Sequence, residues 1–324
     1  MSRIAFTCGG TGGHVYPCIA LAQEQDVKEV LFLGAQNRED QKIVKRYGFQ
    51  FEGVPTTRKN PVTMIRSFLR ARYILKKFAC EKLFASGGYT TPPVILAAWT
   101  MGIPVTLLEQ NVIPGKANRV MQVFADHVMV SFNESAGFFK KNKVAVTGNP
   151  IRKVFLQDAY IKAITAVQLP DMPKVLVMGG SQGANAINLK MMRVYQNESP
   201  PFVMIHLTGE AFYKEKFGSD KITVVKKDGR VNAIVCPYCE SLDTLYSMVD
   251  LVVSRAGATT VAELLHFNKP AILIPYPYAK SDHQTQNAKA FVKGGYGKII
   301  QETDPEFKVL GQEIVDMLKC LNAL

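Results

Sequence analysis

The chain has 324 residues, and its hydrophobic share of 47% is enough to form two globular domains with sizeable cores. Its 39 Lys and Arg residues outnumber 27 Asp and Glu residues and give a net charge of +12. No recognised nucleic-acid module and no interleaved stacking aromatics accompany this charge, so no nucleic-acid partner is expected. The sequence starts without the basic region and long apolar stretch of a secretory signal, and its six cysteines are expected to be reduced thiols in the cytosol.

Strand-like and helical patterns alternate along the first half of the chain. Strands are expected at residues 3–7, 30–33, 82–85, 104–108 and 127–130, and helices at residues 14–25 and 43–47. This alternation predicts a parallel sheet with helices on both faces. The longest apolar stretch, residues 92–108, is interrupted by Thr100, Gly102 and Pro104, so it predicts a helix, a turn and a strand instead of a membrane span.

The segment from Gly53 to Cys80 is basic and amphipathic. It contains no acidic residue, and its basic residues are Arg58, Lys59, Arg66, Arg70, Arg72, Lys76 and Lys77. Apolar residues recur in it at helical spacing, at Met64, Ile65, Phe68, Leu69, Ile74, Leu75 and Phe78. Two interpretations fit this pattern. Residues 58–78 face an anionic membrane surface, or an ordinary helix packs on a sheet and leaves its basic face in water.

The alternating pattern stops around Gly148-Asn149-Pro150 and starts again with a buried strand at residues 174–178. Further strands are expected around His206, Val224 and Ile234 and at residues 251–253 and 271–275, and a helix is expected from Gly257 to His266. The chain is therefore predicted to contain two α/β domains in series.

Each predicted domain opens with a strand that leads through a glycine-rich turn into a helix. The turns are Gly9-Gly10-Thr11-Gly12-Gly13-His14 and Gly179-Gly180-Ser181-Gln182-Gly183. Free backbone N–H groups and the helix dipole favour an anion at such a turn, and glycine lets a ligand approach the backbone. Phosphate is the expected ligand, although neither turn has the complete dinucleotide fingerprint or the Gly-Lys-Ser/Thr of a triphosphate loop.

A Cys-x-x-Cys spacing at Cys236 and Cys239 raises the alternative of a metal site or a redox pair. A zinc site requires a second pair of ligands, and the other four cysteines do not have such a spacing. The chain also lacks an Asp-x-Asp pair. No metal site is therefore expected.

Five motifs occur in a fixed order along the chain. They are Gly9-Gly10-Thr11-Gly12-Gly13-His14, Glu109-Gln110-Asn111, Gly148-Asn149-Pro150-Ile151-Arg152, Gly179-Gly180-Ser181-Gln182-Gly183-Ala184 and Ser254-Arg255-Ala256-Gly257-Ala258-Thr259-Thr260-Val261-Ala262-Glu263. By these motifs the chain resembles the MurG family of peptidoglycan transferases, within glycosyltransferase family 28, from residue 4 to about residue 300.

The resemblance implies an α/β architecture, the glycosyltransferase-B fold, in which two Rossmann-like parallel-sheet domains face a cleft that holds the active site. It implies an acceptor and membrane-associated domain at residues 1–152 and a domain that binds UDP-N-acetylglucosamine (UDP-GlcNAc) at residues 153–310. A C-terminal helix at about residues 311–324 can pack back on the first domain.

The implied reaction is an inverting transfer of N-acetylglucosamine from UDP-GlcNAc to the 4-hydroxyl of the muramyl sugar of lipid I, which forms lipid II. UDP-GlcNAc is then a substrate, no cofactor is needed, and the enzyme is peripheral to the cytoplasmic face of the membrane. Two other functions stay open. They are a UDP-GlcNAc epimerase on the same fold and a non-catalytic nucleotide-sugar-binding subunit at the membrane.

The resemblance also implies roles for individual residues. Donor-binding positions are Thr11, Gly12, Gly13, Asn111, Arg152, Ser181, Cys239, Ala258, Thr259, Thr260, Val261, Glu263, Gln284 and Asn287. The acceptor is expected at Gly10 and Tyr89. Inverting transfer needs a base, and the unperturbed pKa of histidine, about 6.5, makes His14 the first candidate, with Glu109 as the alternative.

Two departures from the family pattern concern the acceptor. Pro92 and Pro93 stand where glycines usually follow the Gly-Gly-Tyr sequence, and proline removes backbone N–H donors. Leu108 stands where many members have a histidine before Glu-Gln-Asn. Both changes weaken the acceptor assignment and leave the fold prediction unaffected.

Overall fold

The computed structural model describes residues 2–9, 12–24, 29–36, 39–55, 60–153, 158–180, 183–218, 221–279 and 282–323. The chain divides into two compact units, Met1–Lys153 and Val154–Leu324, so the division lies one position after the expected boundary. Each unit is built on one seven-stranded sheet with helices, which confirms the predicted fold class of two α/β parallel-sheet domains.

The first unit contains a fully parallel sheet. Its strands are β1 Arg3–Thr7, β2 Glu29–Ala35, β3 Gln50–Val54, β4 Lys82–Ala85, β5 Val105–Glu109, β6 His127–Val130 and β7 Val144–Val146. Its helices are α1 Gly12–Glu24, α2 Glu39–Arg46, α3 Pro61–Phe78, α4 Thr91–Trp99, α5 Lys116–Met121 and α6 Asn133–Ala136, with a 3₁₀ turn at Gln122–Phe124. The strand order is β3-β2-β1-β4-β5-β6-β7. Because the order reverses between β1 and β4, the turns after these strands lie where α/β sheets bind ligands.

The second unit repeats this arrangement with one difference. Its strands are β8 Lys174–Met178, β9 Val203–Leu207, β10 Thr223–Lys227, β11 Arg230–Cys236, β12 Leu251–Ser254, β13 Ala271–Leu273 and β14 Gly297–Ile299. Its helices are α7 Ala159–Thr165, α8 Asn185–Asn197, α9 Glu210–Phe217, α10 Leu242–Met248, α11 Ala258–His266, α12 His283–Lys293, α13 Pro305–Lys308 and α14 Leu310–Cys320. The order is β10-β11-β9-β8-β12-β13-β14, and only the edge pair β10 and β11 is antiparallel among the described strands. The reversal here lies between β8 and β12.

Alternate residues of the first sheet pack into two separate cores. On one face Phe6 stacks on Phe32 and Phe84, with ring centroids 5.1 and 5.2 Å apart. On the other face Ala5 and Leu33 are fully buried against the helices. Burial on both faces is the physical reason that these strands are continuously apolar, and it holds the carboxyl ends of the strands in place.

The C-terminal helix α14 belongs to the second unit. Its Leu310, Ile314 and Leu318 are fully buried in the same core as Ile187 and Val194 of α8. An additional contact of this helix with the first domain stays a prediction. Apolar residues spaced four apart gave it a buried face, and α8 covers that face.

Helix α3 carries two apolar stripes and not the single one that was predicted. Ala71, Ile74 and Leu75 are buried in the core of the first unit. On the other side, four side chains with exposed fractions of 55–60% form what we call the exposed stripe, Val62, Ile65, Leu69 and Tyr73. Arg58 and Lys59 lie outside the described residues. Among the helices in the described ranges, none has the length and apolarity to cross a membrane.

His206 on β9 is fully buried and makes the stability of the second unit sensitive to acid. Its Nε2 donates to Asn188 Oδ1 at 3.1 Å, and burial lowers the pKa of the ring to about 3. Between about pH 6.5 and pH 3 the unfolded chain binds a proton that the folded one does not, so the free energy of unfolding falls as the pH falls.

We therefore expect acidification from pH 7 to pH 5 to reduce the free energy of unfolding by about 2 kcal/mol through His206. A His206→Gln variant still donates to Asn188 but does not titrate, so it should lose this part of the pH dependence in denaturant unfolding. An identical dependence in the variant and the wild type would contradict the assignment.

Candidate functional site

His14 is held by the segment that follows β4. Its Nδ1 lies 2.7 Å from the carbonyl oxygen of Ser86, and Ser86 Oγ donates to the carbonyl of His14 at 2.7 Å. Because a carbonyl oxygen only accepts, Nδ1 carries the proton, and Nε2 of the neutral ring is left as a proton acceptor. Among the described residues Nε2 has no hydrogen-bond partner. This geometry is compatible with a general base, and that role of His14 stays a prediction.

Glu109, the alternative base, is buried and fully hydrogen-bonded. Its Oε1 accepts from the backbone N–H of Asn111 at 3.0 Å and from Asn111 Nδ2 at 3.2 Å. Its Oε2 accepts from the Gly115 N–H and from Asn118 Nδ2, both at 2.9 Å. Four donors therefore bond to this carboxylate and order the loop after β5, while its role as the alternative base stays a prediction. Asn111, a predicted donor-binding residue, is part of this network.

Glycine is required by packing in the turns after β1 and β4, whether or not a ligand binds there. A Cβ on Gly9 would overlap Thr90 Oγ1, which donates to the carbonyl of Cys8 at 3.0 Å. Gly88 has a φ of +94°, and a Cβ there would lie 2.5 Å from the carbonyl oxygen of Gly9. The turns after β1 and β4 thus pack directly against each other. Gly10 and Thr11 lie outside the described residues, while Gly12 and Gly13 form the start of α1.

The acceptor loop after β4 has a reduced capacity for anions. Tyr89 is half-buried, and helix α4 begins two residues later, with Pro92 and Pro93 in its first turn. Proline is compatible with this position, but it leaves two fewer N–H groups for a diphosphate. Leu108 is buried in the core and offers no acceptor contact.

Arg152 lies at the end of the first unit and contacts two tyrosines there. Its guanidinium carbon is 4.0 Å from the ring centroid of Tyr16, and its Nη1 donates to Tyr47 Oη at 3.1 Å. The next residue, Lys153, exchanges two hydrogen bonds of 2.8 and 2.9 Å with the side chain of Gln23. These contacts anchor the segment on α1, and the role of Arg152 at the donor phosphates stays a prediction.

The N-terminus of α11 offers an anion site in the second unit. Gly257 precedes the helix with a φ of −64°, and no side chain caps the first N–H groups. A Cβ on Gly257 would meet only Thr260 Oγ1 at 3.8 Å, so neither the backbone nor the neighbours require glycine there. The hydroxyl of Thr259 is buried without a hydrogen-bond partner in the described part of the chain. Space and donors for a phosphate therefore coincide at Ala258, Thr259, Thr260 and Val261.

The glycine turn after β8 is open at one position. Gly180 has a φ of +82°, and a Cβ there would meet open space, whereas a Cβ on Gly183 would overlap the carbonyl oxygen of Thr208. Gly180 therefore leaves room for a ligand, while Gly183 is required by packing. Ser181, the predicted donor contact in this turn, lies outside the described residues.

Glu263, a predicted donor-binding residue on α11, is buried. It is 5% exposed, and Tyr246 Oη donates to its Oε2 at 3.1 Å. Two consequences follow from this geometry. The carboxylate is oriented before a ribose binds, and its removal leaves a buried phenol hydroxyl without that partner.

Replacing Glu263 with alanine should weaken UDP binding by about tenfold to a hundredfold, because a charged acceptor of hydroxyl groups is lost. It should also lower the free energy of unfolding by about 1–3 kcal/mol, because Tyr246 Oη is left buried. Calorimetry with UDP and denaturant unfolding measure the two effects. The control Tyr246→Phe removes the hydroxyl and keeps the carboxylate, so it should affect stability more than affinity. Unchanged UDP affinity in Glu263→Ala would reject the ribose role.

Cys239 is held by a buried aspartate that the sequence analysis did not identify. Asp158 Oδ2 accepts from Cys239 Sγ at 3.1 Å and from the backbone N–H groups of Glu240 and Ser241 at 2.6 and 3.1 Å. Burial alone would raise the pKa of Asp158, but these bonds and one from Tyr160 lower it below its ordinary value. The Cys239 side chain thus points inward, which leaves its main chain for the predicted donor contact.

Burial, together with the charge of Asp158, raises the pKa of the Cys239 thiol far above its ordinary value. Burial does the same for Cys236. Both thiols are therefore in the protonated form. Within the described residues, no three His, Cys, Asp or Glu side chains are grouped as a metal site.

Gln284 and Asn287 on α12 contact the loops that follow β12 and β13. Gln284 Oε1 accepts from the backbone N–H of Tyr276 at 2.8 Å. Asn287 is fully buried, and its Nδ2 donates to the carbonyl of Ala256 at 3.2 Å. Asn287 therefore positions the turn before α11, while Gln284 lies at the surface.

The predicted residues fall into two sets, one in each unit. His14, Glu109, Asn111, Tyr89 and Arg152 lie in the first unit, and the residues of α11 and α12 and Cys239 lie in the second. The positioning residues Ser86, Asp158 and Tyr246 were not predicted from the sequence. Of these three residues, only Asp158 could have been recognised from the sequence, because an aspartate directly before a helix often caps it. In the structure Asp158 accepts a hydrogen bond from the Tyr160 N–H.

Sequence comparison identifies relatives along nearly the whole chain. The profile of the glycosyltransferase family 28 N-terminal domain matches residues 4–130, and that of the family's C-terminal domain matches residues 174–323. A protein of Halothermothrix orenii is 36% identical over 98% of this chain and 89% of its own length. It is named UDP-N-acetylglucosamine--N-acetylmuramyl-(pentapeptide) pyrophosphoryl-undecaprenol N-acetylglucosamine transferase. A protein of Desulfotalea psychrophila with the same name is 36% identical over 93% of this chain and 84% of its own length.

Structural comparison finds similar two-domain proteins. The crystal structure of Acinetobacter baumannii MurG has a TM-score of 0.74 and 27% identity, and the match covers 98% of this chain and 90% of that one. A UDP-GlcNAc 2-epimerase from Neisseria meningitidis has a TM-score of 0.65 over 98% of this chain and 92% of that one. Its identity is only 14%, so this second likeness shows the fold alone.

Proposed function

This chain belongs to glycosyltransferase family 28, and from this premise we propose that it transfers N-acetylglucosamine from UDP-GlcNAc to the muramyl sugar of lipid I, forming lipid II. The names of the relatives from Halothermothrix orenii and Desulfotalea psychrophila support this reaction. The observation that carries it in this chain is the His14 ring, whose Nδ1 bonds to the Ser86 carbonyl at 2.7 Å and whose Nε2 is left to take a proton.

In the proposed reaction the acceptor's 4-hydroxyl oxygen forms a bond to the anomeric carbon of the donor sugar. The bond from that carbon to the diphosphate oxygen breaks, the configuration inverts, and the hydroxyl proton passes to Nε2 of His14. UDP leaves with additional negative charge. The uncapped N–H groups of α11, from Ala258 onward, are the donors that stabilise this charge without a metal.

The purified chain, incubated with UDP-GlcNAc and a lipid I analogue, tests this function. We expect UDP release that depends on the acceptor, a disaccharide product and undiminished turnover in EDTA. Loss of turnover in EDTA that magnesium restores would reject the metal-free mechanism.

Two further outcomes of the same assay correspond to the alternatives. Conversion of UDP-GlcNAc to an isomer without acceptor would indicate an epimerase, which is the alternative that the fold likeness to UDP-GlcNAc 2-epimerases keeps open. UDP binding without any acceptor-dependent release would indicate a non-catalytic nucleotide-sugar-binding subunit.

A peripheral position at the cytoplasmic face of the membrane completes the proposal. The exposed stripe of α3 is flanked by basic residues, Arg66, Arg70, Arg72, Lys76 and Lys77. Trp99 at the end of α4 is 54% exposed, and Arg72 Nη1 donates to the adjacent Thr100 Oγ1 at 2.8 Å, which places Trp99 beside α3. Apolar side chains bordered by cations suit an interface with anionic lipid headgroups, where the lipid-linked acceptor resides.

Replacing Ile65 and Leu69 together with aspartate should reduce binding to vesicles that contain anionic phospholipid by at least about tenfold, because apolar contact is lost and negative charge is added. Turnover with a short-chain, water-soluble acceptor should stay near the wild-type value. The matched control is Leu189→Asp on α8, which is 44% exposed. Equal vesicle binding by the double variant and the control would reject this surface.

A further inference from the structure

An exposed aromatic pair follows β13 in the second unit. The rings of Tyr276 and Tyr278 pack edge to face, with centroids 5.7 Å apart and an interplanar angle of 71°. Tyr276 is 45% exposed and Tyr278 is 81% exposed. The latter value is the highest among the large apolar side chains in the described ranges. The loop that carries Tyr278 is held in place by several contacts, so the high exposure of this side chain calls for an explanation.

Buried Arg255 holds the base of this pair. Its guanidinium carbon lies 5.4 Å from the ring centroid of Tyr276. Its Nη1 donates to the carbonyls of Ile274 and Pro275 at 3.1 and 3.2 Å, and its Nη2 pairs with Glu302. The Arg255 guanidinium is therefore held by several partners, and it fixes the Tyr276 ring before any ligand binds.

The backbone of the same loop is also fixed. The N–H of Tyr276 donates to Gln284 Oε1 at 2.8 Å, and the N–H of Ala279 donates to the carbonyl of Tyr276 at 3.1 Å. Pro277 between the two tyrosines restricts the chain further. Because the Gln284 oxygen faces the loop, its Nε2 is directed elsewhere, and Nε2 has no partner among the described residues.

The pair lies on the same edge of the sheet as the proposed phosphate site. Strands β12 and β13 are parallel neighbours, with Ser254 opposite Leu273. Their carboxyl ends therefore lead side by side into the turn before α11 and into the tyrosine loop. A nucleotide sugar whose diphosphate bound at the N-terminus of α11 would therefore have the tyrosine loop on the neighbouring strand beside it.

We propose that Tyr278 provides a stacking surface for the pyranose ring of the donor N-acetylhexosamine, next to Gln284, which the family resemblance already assigns to the donor. This inference rests on the proposed function, which makes a UDP-hexosamine the donor. A pyranose ring has a face of C–H groups that packs well on an aromatic ring, while its hydroxyls need polar partners. A tyrosine whose support is already ordered loses little conformational entropy when it binds.

Calorimetry with UDP and with UDP-GlcNAc, in the absence of acceptor, tests the assignment because only the second ligand has the sugar. We expect Tyr278→Ala to weaken UDP-GlcNAc binding by about tenfold and to leave UDP binding unchanged. Tyr278→Phe keeps the ring and should bind both ligands as the wild type does. The matched control is Tyr296→Ala, which removes a 38% exposed tyrosine directly before β14, at the opposite edge of the sheet.

Unchanged UDP-GlcNAc affinity in folded Tyr278→Ala would overturn this inference, and so would an equal loss for UDP and UDP-GlcNAc. A normal donor affinity combined with weakened acceptor binding would also overturn it, since the ring would then serve the acceptor. In each of these cases wild-type UDP binding stands, and the proposed function is unaffected. A wild type that binds neither ligand would overturn both.

Discussion

Replacing His14 with alanine should lower turnover by about 100- to 10,000-fold, while the affinity for UDP changes little. The Ser86 carbonyl holds Nδ1 of the ring at 2.7 Å, so in the proposed reaction Nε2 is the atom expected to accept the proton from the attacking hydroxyl. The predicted UDP contacts lie mainly in the second unit and do not include this ring. Steady-state kinetics with a lipid I analogue and calorimetry with UDP measure the two effects.

The variant His14→Gln is the matched control for this experiment. Its amide N–H can still bond to the Ser86 carbonyl, but the side chain cannot act as a base, so turnover should be as low as in His14→Ala while stability is retained. Both variants should lack the acidic limb of the wild-type pH–rate profile. If His14 were only a structural residue, the alanine variant would lose about 1 kcal/mol of stability and keep near-normal turnover in its folded fraction.

Replacing Glu109 with alanine should lower the free energy of unfolding of the first unit by about 3–5 kcal/mol. The carboxylate accepts four hydrogen bonds of 2.9–3.2 Å, and its loss leaves the donors of Asn111, Gly115 and Asn118 without it. Glu109→Gln should lower the free energy of unfolding less than Glu109→Ala, because one side-chain oxygen remains as an acceptor. Its NH₂ group then faces N–H donors, so part of the loss remains. Denaturant unfolding monitored in the first unit measures both losses.

The same Glu109 variants distinguish positioning from base catalysis. If Glu109 only orders the loop after β5, turnover per folded molecule should fall moderately and the acidic limb of the pH–rate profile should stay in place. A stable Glu109→Gln variant with turnover reduced more than a hundredfold and no acidic limb would return the base role to Glu109.

Local patterns predicted the fold with few errors. The strands at Arg3–Thr7, Lys82–Ala85, His127–Val130 and Lys174–Met178 have the predicted bounds. Their continuous apolar character follows from burial on both faces of a parallel sheet, and a glycine turn after a strand marks the change to a helix. The edge strands β3, β7 and β14 were not predicted. They lack the continuous apolar run of the central strands, since their residues are mostly only partly buried or exposed.

The order and spacing of the five motifs identified the family and indicated the candidate site residues, because both can be read directly from the sequence. Tertiary structure decided what several of those residues do. Glu109 had the residue type of a base, and the donors that occupy it come from a loop whose path the sequence does not specify. Glu263 had a helical position compatible with the surface, and Tyr246 from another helix covers it.

The chain by itself thus determined two α/β domains and the glycine turns, since these depend on neighbours within a few residues, and it left His14 and Glu109 as the two candidate bases. The requirement for glycine at position 9 depends on Thr90, and the proton position on His14 depends on Ser86. The amphipathic character of α3 could be predicted from the sequence. Only its packing on the sheet decided that Ile74 is buried and Ile65 is exposed. Contacts between residues distant in the chain set burial and hydrogen-bond partners, and these in turn set the chemistry of each side chain.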